Sequence, residues 1–139
     1  MEDNKNSLTL NSYQRRAMDT CLTSSDNFAY MFFGLVEEVG ELAGKVSKSI
    51  RRGICSIGVD AELASQLEPD DVLANDLYFL DDADATRAAM KKELGDVMWM
   101  VAGLCGELGW SLEEVCRENL EKLSSRKKRG VIDGNGDER

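Results

Sequence analysis

The chain has 139 residues, of which 42% are hydrophobic and only one is proline, and this composition fits a single helical domain with one core. It contains no histidine, which excludes Ser-His-Asp and Cys-His nucleophiles, and its four cysteines form no C-x-x-C pair and are interpreted as buried thiols. The formal net charge is −9, and the sequence shows no basic stripe for duplex DNA, no window apolar enough to span a bilayer and no signal peptide. We therefore expect a cytoplasmic protein that binds neither nucleic acid nor membrane.

The first two helices are each preceded by capping residues. After a polar stretch at residues 1–8, Thr9 or Asn11 is suited to cap the first helix. Residues 24–27 then supply a turn and a second cap, and the second helix is predicted over about residues 28–50. Two arginines follow at its end, where cations complement the helix dipole, namely Arg51 and Arg52.

The second helix is predicted to have one acidic and one apolar face. Helical spacing places Glu37, Glu38 and Glu41 together, with Lys45 and Lys48 one and two turns further along. The opposite side carries the residues expected to face the core, which are Phe32, Leu35, Val39, Leu42 and Val46. Close approach by a neighbour or a ligand is suggested by three glycines, Gly34, Gly40 and Gly44. Taken alone, the acidic face is best interpreted as solvated, since three like charges at this spacing repel only weakly.

Residues 53–86 are predicted to form an acidic insertion between the second and third helices. Nine acids and no Lys or Arg fall in this segment, so the rest of the chain is electrically neutral. Residues 60–67 suit a short helix, and residues 73–80 carry apolar side chains able to dock on the body. A lid, a partner surface and inert filler all stay open, with solvated filler as the default.

The third helix is predicted to start at a cap formed by Asp84 or Thr86 and to end near residues 106–109. Glu93 and Asp96 lie three apart and so share a face with four apolar residues, Met90, Val97, Met100 and Leu104. Residues 97–105 carry no charged or strongly polar side chain, which is typical of a buried helix, and a buried acidic pair requires a cation. The alternative is that this helix end lies at the protein rim and both acids are hydrated.

These two helices together suggest a cation site. Each offers carboxylates at positions i and i+3, so that the pair provides several oxygen ligands for a hard cation. Mg²⁺ characteristically uses a few carboxylates together with substrate phosphates.

Ser111 and Glu114 are predicted to form a capping box for a fourth helix. Its inward side is expected to carry Leu112, Val115, Cys116, Leu120 and Leu123. Its polar side, which the spacing alone indicates to be solvated, carries Asn119, Lys122 and Arg126. The glycine-rich tail at about residues 130–139 is interpreted either as a disordered terminus or as a segment whose backbone amides approach a phosphate.

Two motifs resemble those of the MazG-like, all-α nucleoside triphosphate pyrophosphohydrolases. Glu37-Glu38-Val39-Gly40-Glu41 is similar to the Glu-Glu-x-x-Glu motif of that superfamily, and Lys92-Glu93-Leu94-Gly95-Asp96 is similar to its Glu-x-x-Asp motif. The similarity extends to residues 12–14, 38–48, 91–108 and 119–139. One departure is the 51 residues between Glu41 and Glu93, which are more than the family's usual linker.

The resemblance implies an all-α, four-helix MazG-like bundle that forms a single domain over residues 1–139 and assembles as a homodimer or homotetramer. It implies Mg²⁺-dependent hydrolysis of a deoxy or noncanonical nucleoside triphosphate to the monophosphate and pyrophosphate, with Mn²⁺ as the alternative ion and nucleotide-pool house-cleaning as the role. The implied metal ligands are Glu38, Glu41, Glu93 and Asp96. The implied catalytic carboxylates are Glu37 and Glu38. The candidates for substrate binding are Lys45, Lys48, Asn119, Lys122 and Arg126.

Two further expectations accompany this interpretation. Tyr13 and Gln14 correspond to family positions near the nucleotide base, although helix packing is the simpler role for Tyr13. Subunit association is also expected from apolar surface on the third helix, at Met98, Trp99 and Ala102.

Two alternative functions stay open. One is a related pyrophosphohydrolase that acts on a modified adenine nucleotide such as phosphoribosyl-ATP. The other is a noncatalytic helical module that binds divalent ions through its carboxylates and a basic partner through its acidic insertion. The nucleoside triphosphate pyrophosphohydrolase and the phosphoribosyl-ATP enzyme both require metal-dependent turnover. The noncatalytic module requires a partner whose affinity falls with salt.

Overall fold

The computed structural model describes residues 8–58, 76–79 and 83–131. Four helices lie in these residues: α1 (Leu10–Met18), α2 (Phe28–Arg51), α3 (Asp84–Glu107) and α4 (Leu112–Arg129). They are accompanied by two short strands, β1 (Cys55–Gly58) and β2 (Asp76–Phe79), which the sequence pattern does not predict. The predicted all-α class is confirmed, and the bounds of α2 agree with the prediction to within about two residues. The first helix is predicted over residues 10–22, and α1 ends earlier, at Met18.

The starts of the helices are set by side-chain caps. The Thr9 hydroxyl accepts a hydrogen bond from the Ser12 backbone N–H at 3.1 Å, and the Ser12 hydroxyl accepts one from the Thr9 N–H at 2.8 Å. The Ser111 hydroxyl accepts a bond from the Glu114 N–H at 3.0 Å, as the capping-box spacing predicts. The predicted cap of α3 is wrong by at least one residue, because α3 already begins at Asp84 and the Ala83 carbonyl accepts its first bond, from the Arg87 N–H.

Three glycines with positive φ end the longer helices. Gly53, Gly109 and Gly130 have φ of 68°, 72° and 67°, a left-handed conformation that side chains with a Cβ rarely adopt. The residue after each glycine donates its N–H back to a carbonyl five positions earlier, for example Trp110 to Cys105 at 2.8 Å. These turns satisfy carbonyl groups that a helix end leaves without partners.

The chain divides into two compact units, the first formed by Met1–Phe33 with Trp99–Arg139 and the second by Gly34–Met98. The core of the first unit is centred on Ala102, Cys105 and Leu112. Partly buried residues that pack against this centre are Tyr13, Met18, Val101, Val115 and Cys116. The packing role expected for Tyr13 is therefore confirmed.

Gln14 ties α1 to the turn between α3 and α4. Its side-chain amide donates to the Ala102 carbonyl at 3.2 Å and to the Trp110 carbonyl at 3.1 Å. Its side-chain oxygen accepts a bond from the Leu112 N–H at 2.8 Å. Because both ends of this amide are used within the protein, Gln14 has a structural role, and its contact with a nucleotide stays a prediction.

Several residues predicted to face inward are exposed. Phe32 is 44% exposed and Val39 50% exposed on α2, while Leu120 is 66% and Leu123 43% exposed on α4. Conversely, two residues expected on the surface of α3 are held inside the first unit. Ala102 is fully buried, and the indole N–H of Trp99 donates to the Ala17 carbonyl at 3.1 Å and to the Thr20 hydroxyl at 3.0 Å.

In the second unit, β1 and β2 pair in antiparallel fashion, with Cys55 opposite Phe79 and Gly58 opposite Asp76. Cys55 is 1% exposed, and the Arg87 guanidinium lies 4.2 Å from the centre of the Phe79 ring. The strands therefore lie within the segment interpreted as an acidic insertion, and β2 overlaps its apolar run at 73–80. The short helix predicted at 60–67 lies outside the described residues. No described helix is both long enough and apolar enough to cross a membrane.

Candidate functional site

Three carboxylates from two helices meet in the second unit. Glu38 comes from α2, whereas Glu93 and Asp96 come from α3, where their i, i+3 spacing directs both toward one side. One carboxylate oxygen of each residue lies within 4.8 Å of the other two. Asp96 is exposed and Glu93 and Glu38 are partly buried, so the group lies at the protein surface rather than in the interior.

Burial and the neighbouring negative charges both affect the ionisation of Glu38. Burial raises the pKa of this carboxyl, and the negative charges of Asp96, Glu41, Glu93 and Glu37 raise it further. The ionised cluster is therefore held together against its own charge, which a bound cation would neutralise.

Lys45 supplies one positive charge to the cluster. Its ammonium nitrogen lies 2.9 Å from Oε1 of Glu93, and the Glu93 side chain is only 12% exposed. This hydrogen bond raises the pKa of Lys45, an effect that desolvation opposes and the charges of Glu93 and Glu41 reinforce. Lys45 thus stays protonated at neutral pH and neutralises one of the three carboxylates.

The remaining donors fit a hard divalent cation. Carboxylate oxygens are the ligands that Mg²⁺ and Mn²⁺ prefer, and the set contains no nitrogen or sulfur ligand that would favour zinc. Two oxygens bound to one Mg²⁺ lie at most about 4.2 Å apart, so the three carboxylates would have to move closer together to share one ion.

Other predicted site residues lie near this cluster on α2 without joining it. Glu37 and Glu41 are exposed, and their charges act on Glu38 although neither belongs to the group of three carboxylates. Lys48 is exposed one turn beyond Lys45. The structure therefore brings together three of the four predicted metal ligands with one of the predicted phosphate-binding lysines.

The three predicted residues on α4 belong to the first unit. Asn119 and Lys122 are exposed, as predicted for a polar helix face. Arg126 is only 5% exposed, so the prediction of a solvated position is wrong for this residue. A contact of these residues with substrate stays a prediction.

A groove of about 400 Å³ adjoins Lys45, and the sequence analysis did not identify it. Its lining includes Lys48, Ser49 and Arg52 from α2 and Thr86 from α3. Arg52 was interpreted only as a complement to the helix dipole. Its position seven residues after Lys45 and four after Lys48 is the signal that places all three cations on one face.

Comparisons with known proteins cover the same part of the chain. Residues 27–131 match the family described as the MazG nucleotide pyrophosphohydrolase domain, a range that includes the carboxylate cluster and the groove. The chain is also 37% identical over 134 residues to the Gene 37 protein of Mycobacterium phage L5, an alignment that covers 91% of this chain and 96% of that protein. No solved structure matches the chain.

Proposed function

Because the chain belongs to the family of MazG nucleotide pyrophosphohydrolase domains, we propose that it hydrolyses a deoxy or noncanonical nucleoside triphosphate to the monophosphate and pyrophosphate. The proposed cofactor is Mg²⁺, with Mn²⁺ as a substitute, and the proposed role is to clear such nucleotides from the nucleotide pool. Family membership supports nucleotide pyrophosphohydrolase activity in general, and the substrate preference and metal are our own inference.

The observation that carries the proposal is the meeting of Glu38, Glu93 and Asp96 within 4.8 Å. A cluster of like charges at this spacing has no benefit for stability, since each added carboxylate raises the free energy of the others. It is useful if a divalent cation and a polyphosphate occupy the site. The bound ion would neutralise charge on the phosphates and lower the pKa of a coordinated water.

The proposal assigns metal binding, proton acceptance and phosphate binding to different residues. Glu38, Glu93 and Asp96 would hold the cation, with exposed Glu41 as the fourth ligand. Glu37 accepts the proton of the water that adds to the α-phosphorus, with Glu38 as the second candidate for this role. The bond from the α-phosphorus to the bridging oxygen then breaks, and pyrophosphate leaves. Lys45 donates hydrogen bonds to phosphate oxygens of the substrate.

The test is pyrophosphate release from a panel of ribo-, deoxyribo- and oxidised nucleoside triphosphates and phosphoribosyl-ATP, with Mg²⁺ and with chelator. We expect turnover only with the metal, and a loss of at least about a hundredfold in kcat/KM for Glu93→Gln, which removes a ligand but keeps the side-chain volume. The matched control is Glu107→Gln, the same substitution at an exposed position of the same helix.

Two results would reject the proposal. Unchanged turnover in Glu93→Gln would remove the cluster from the mechanism, and absence of pyrophosphate from every nucleotide would favour a noncatalytic divalent-ion module. Turnover of phosphoribosyl-ATP alone would keep the class of reaction and replace the substrate.

A further inference from the structure

The groove beside Lys45 has the chemistry of an anion site. Three cationic side chains line it, Lys45, Lys48 and Arg52, together with Thr86. Ser49 also lines the groove, but its buried hydroxyl donates to the Lys45 carbonyl at 2.8 Å. Among the described residues, no acidic side chain contributes to the lining. Guanidinium and ammonium groups with neighbouring hydroxyls are the donors that recognise phosphate oxygens.

The start of α3 adds to this positive potential. Thr86 lies in the first turn of the helix, where backbone N–H groups precede the first intrahelical hydrogen bond and the helix dipole is positive. The acid in that turn, Asp84, is exposed and does not line the groove. The groove thus combines the N-terminus of α3 with three cationic side chains of α2, which are two separate sources of positive potential.

A simpler account would treat the cations at the end of α2 as complements to its dipole. That account applies equally to Arg51 and Arg52, which are both exposed in the same turn. It does not explain why Lys45, Lys48 and Arg52 line one groove while Arg51 does not. Because Arg52 lines the groove and Arg51 does not, the positive charge of the groove is distinct from the general positive charge at the end of α2.

Lys45 connects the groove to the carboxylate cluster, because it lines the groove and also lies 2.9 Å from Glu93. We propose that this groove binds the two phosphates that leave as pyrophosphate, and that Arg52 selects triphosphates over diphosphates by contacting the terminal phosphate. The inference rests on the proposed function, since it places the reacting phosphate at the carboxylates. It adds Arg52 and Thr86 to the substrate site.

The first experiment measures binding of inorganic pyrophosphate to the full-length protein by calorimetry, in metal-free buffer of about 0.05 M ionic strength. Arg52→Gln weakens binding by about tenfold, the loss of one charge-assisted contact to phosphate. The control Arg51→Gln removes the same charge from the adjacent residue and leaves the affinity within about twofold. Equal weakening by both variants, or no binding to the wild-type protein, overturns the proposal.

A second variant tests the shared role of Lys45. Glu93→Gln releases Lys45 from its ion pair, so this variant, although inactive, binds metal-free pyrophosphate about three- to tenfold more tightly than wild type. A weaker or unchanged affinity would contradict the link between the cluster and the groove.

Chain-length selectivity gives a separate kinetic test. With the best triphosphate of the panel and its diphosphate, Arg52→Gln lowers the ratio of the two kcat/KM values by about tenfold, while Arg51→Gln leaves it unchanged. If the wild type hydrolyses triphosphates and Arg52→Gln keeps the ratio, the groove inference fails and the proposed function stands. If no nucleotide is hydrolysed, the proposed function fails and calorimetry alone decides whether the groove binds pyrophosphate.

Discussion

Glu38 is the residue whose ionisation reports most directly on the proposed centre. Its pKa is raised, which means that the folded protein holds this proton more tightly than the unfolded chain does. Above the folded pKa, the ionised group therefore lowers stability, and this cost is relieved as the pH falls through the folded pKa toward the ordinary value for glutamate.

Replacing Glu38 by glutamine should therefore stabilise the protein near pH 7. Each like-charge neighbour contributes a few tenths of a kcal/mol, so we expect a gain of about 1 kcal/mol and a rise in Tm of about 3–5 °C. The advantage over wild type should disappear near pH 4, where the carboxyl is protonated in both states. Thermal denaturation at pH 4 and pH 7 measures both effects.

Adding Mg²⁺ should make the wild-type protein more stable than Glu38→Gln. Mg²⁺ at ten times its Kd stabilises a folded site by about 1.4 kcal/mol, so it should raise the Tm of wild type and have little effect on Glu38→Gln. The control Glu118→Gln removes the same charge from an exposed position in the middle of α4 and should keep the wild-type response to Mg²⁺. An equal response in Glu38→Gln would argue against this residue as a ligand.

At the scale of elements, the close approach of α2 and α3 within the first unit depends on one glycine. A Cβ added at Gly103 would lie 2.7 Å from Met31 Cε and closer still to Met31 Sδ, and Met31 is fully buried. Of the three α2 glycines expected to allow close approach, Gly40 and Gly44 do not meet a neighbour, because no described atom outside the local helix backbone lies within 4 Å of a Cβ built there. Gly34 is buried, and for this residue the expectation stays a prediction.

Gly103→Ala should destabilise the protein even though alanine favours helix. The gain in helix propensity is about 1 kcal/mol, whereas overpacking a buried position costs about 1–3 kcal/mol, so we expect a net loss of about 1 kcal/mol in chemical denaturation.

Gly106→Ala is the matched control, since it lies in the same helix with open space around its Cβ. It should stabilise the protein by about 0.5–1 kcal/mol. Adding Met31→Ala to Gly103→Ala should cost less than the two single changes together, because the clash is removed. Strict additivity would show that the methionine moves aside without cost.

At the scale of the whole molecule, we propose that association into dimers or tetramers uses a different surface from the one first expected. Of the three α3 residues assigned to it, only Met98 is exposed, at 38%. Larger apolar exposure occurs elsewhere in the second unit, where Val36 is 63%, Leu94 52% and Val39 50% exposed. Exposed apolar residues in this number favour burial against a second copy.

We therefore expect Val36→Lys to shift the wild-type oligomer toward smaller species in size-exclusion chromatography with light scattering. A lysine buried without a partner opposes association. Leu22→Lys makes a comparable change at a position that is 69% exposed between α1 and α2, and it should leave the mass unchanged. A monomeric wild type would remove the oligomer proposal altogether.

Local rules were enough to predict the four helices of this protein and the caps of α1 and α4, but not the cap of α3 or the end of α1. Caps such as Thr9 and Ser111, and turn glycines such as Gly109, act over a few residues, and the period of 3.6 places Glu93 and Asp96 on one side of their helix. Periodicity alone did not bring Glu38 of α2 to this pair, and that contact between two helices depends on tertiary structure. The role of the three carboxylates as metal ligands is still a proposal.

Tertiary structure determines the ion-pair partners, the exposure of apolar side chains and the strand pairing, which local rules do not predict. The sequence offers Lys45 a partner four residues earlier, Glu41, yet its ion pair is made with Glu93 on another helix. Val39 and Leu120 are apolar and still exposed, and β1 pairs with a strand that lies 17 residues further along the chain. Each of these outcomes depends on the relative free energies of contacts between residues far apart in sequence, and helical periodicity carries no information about them.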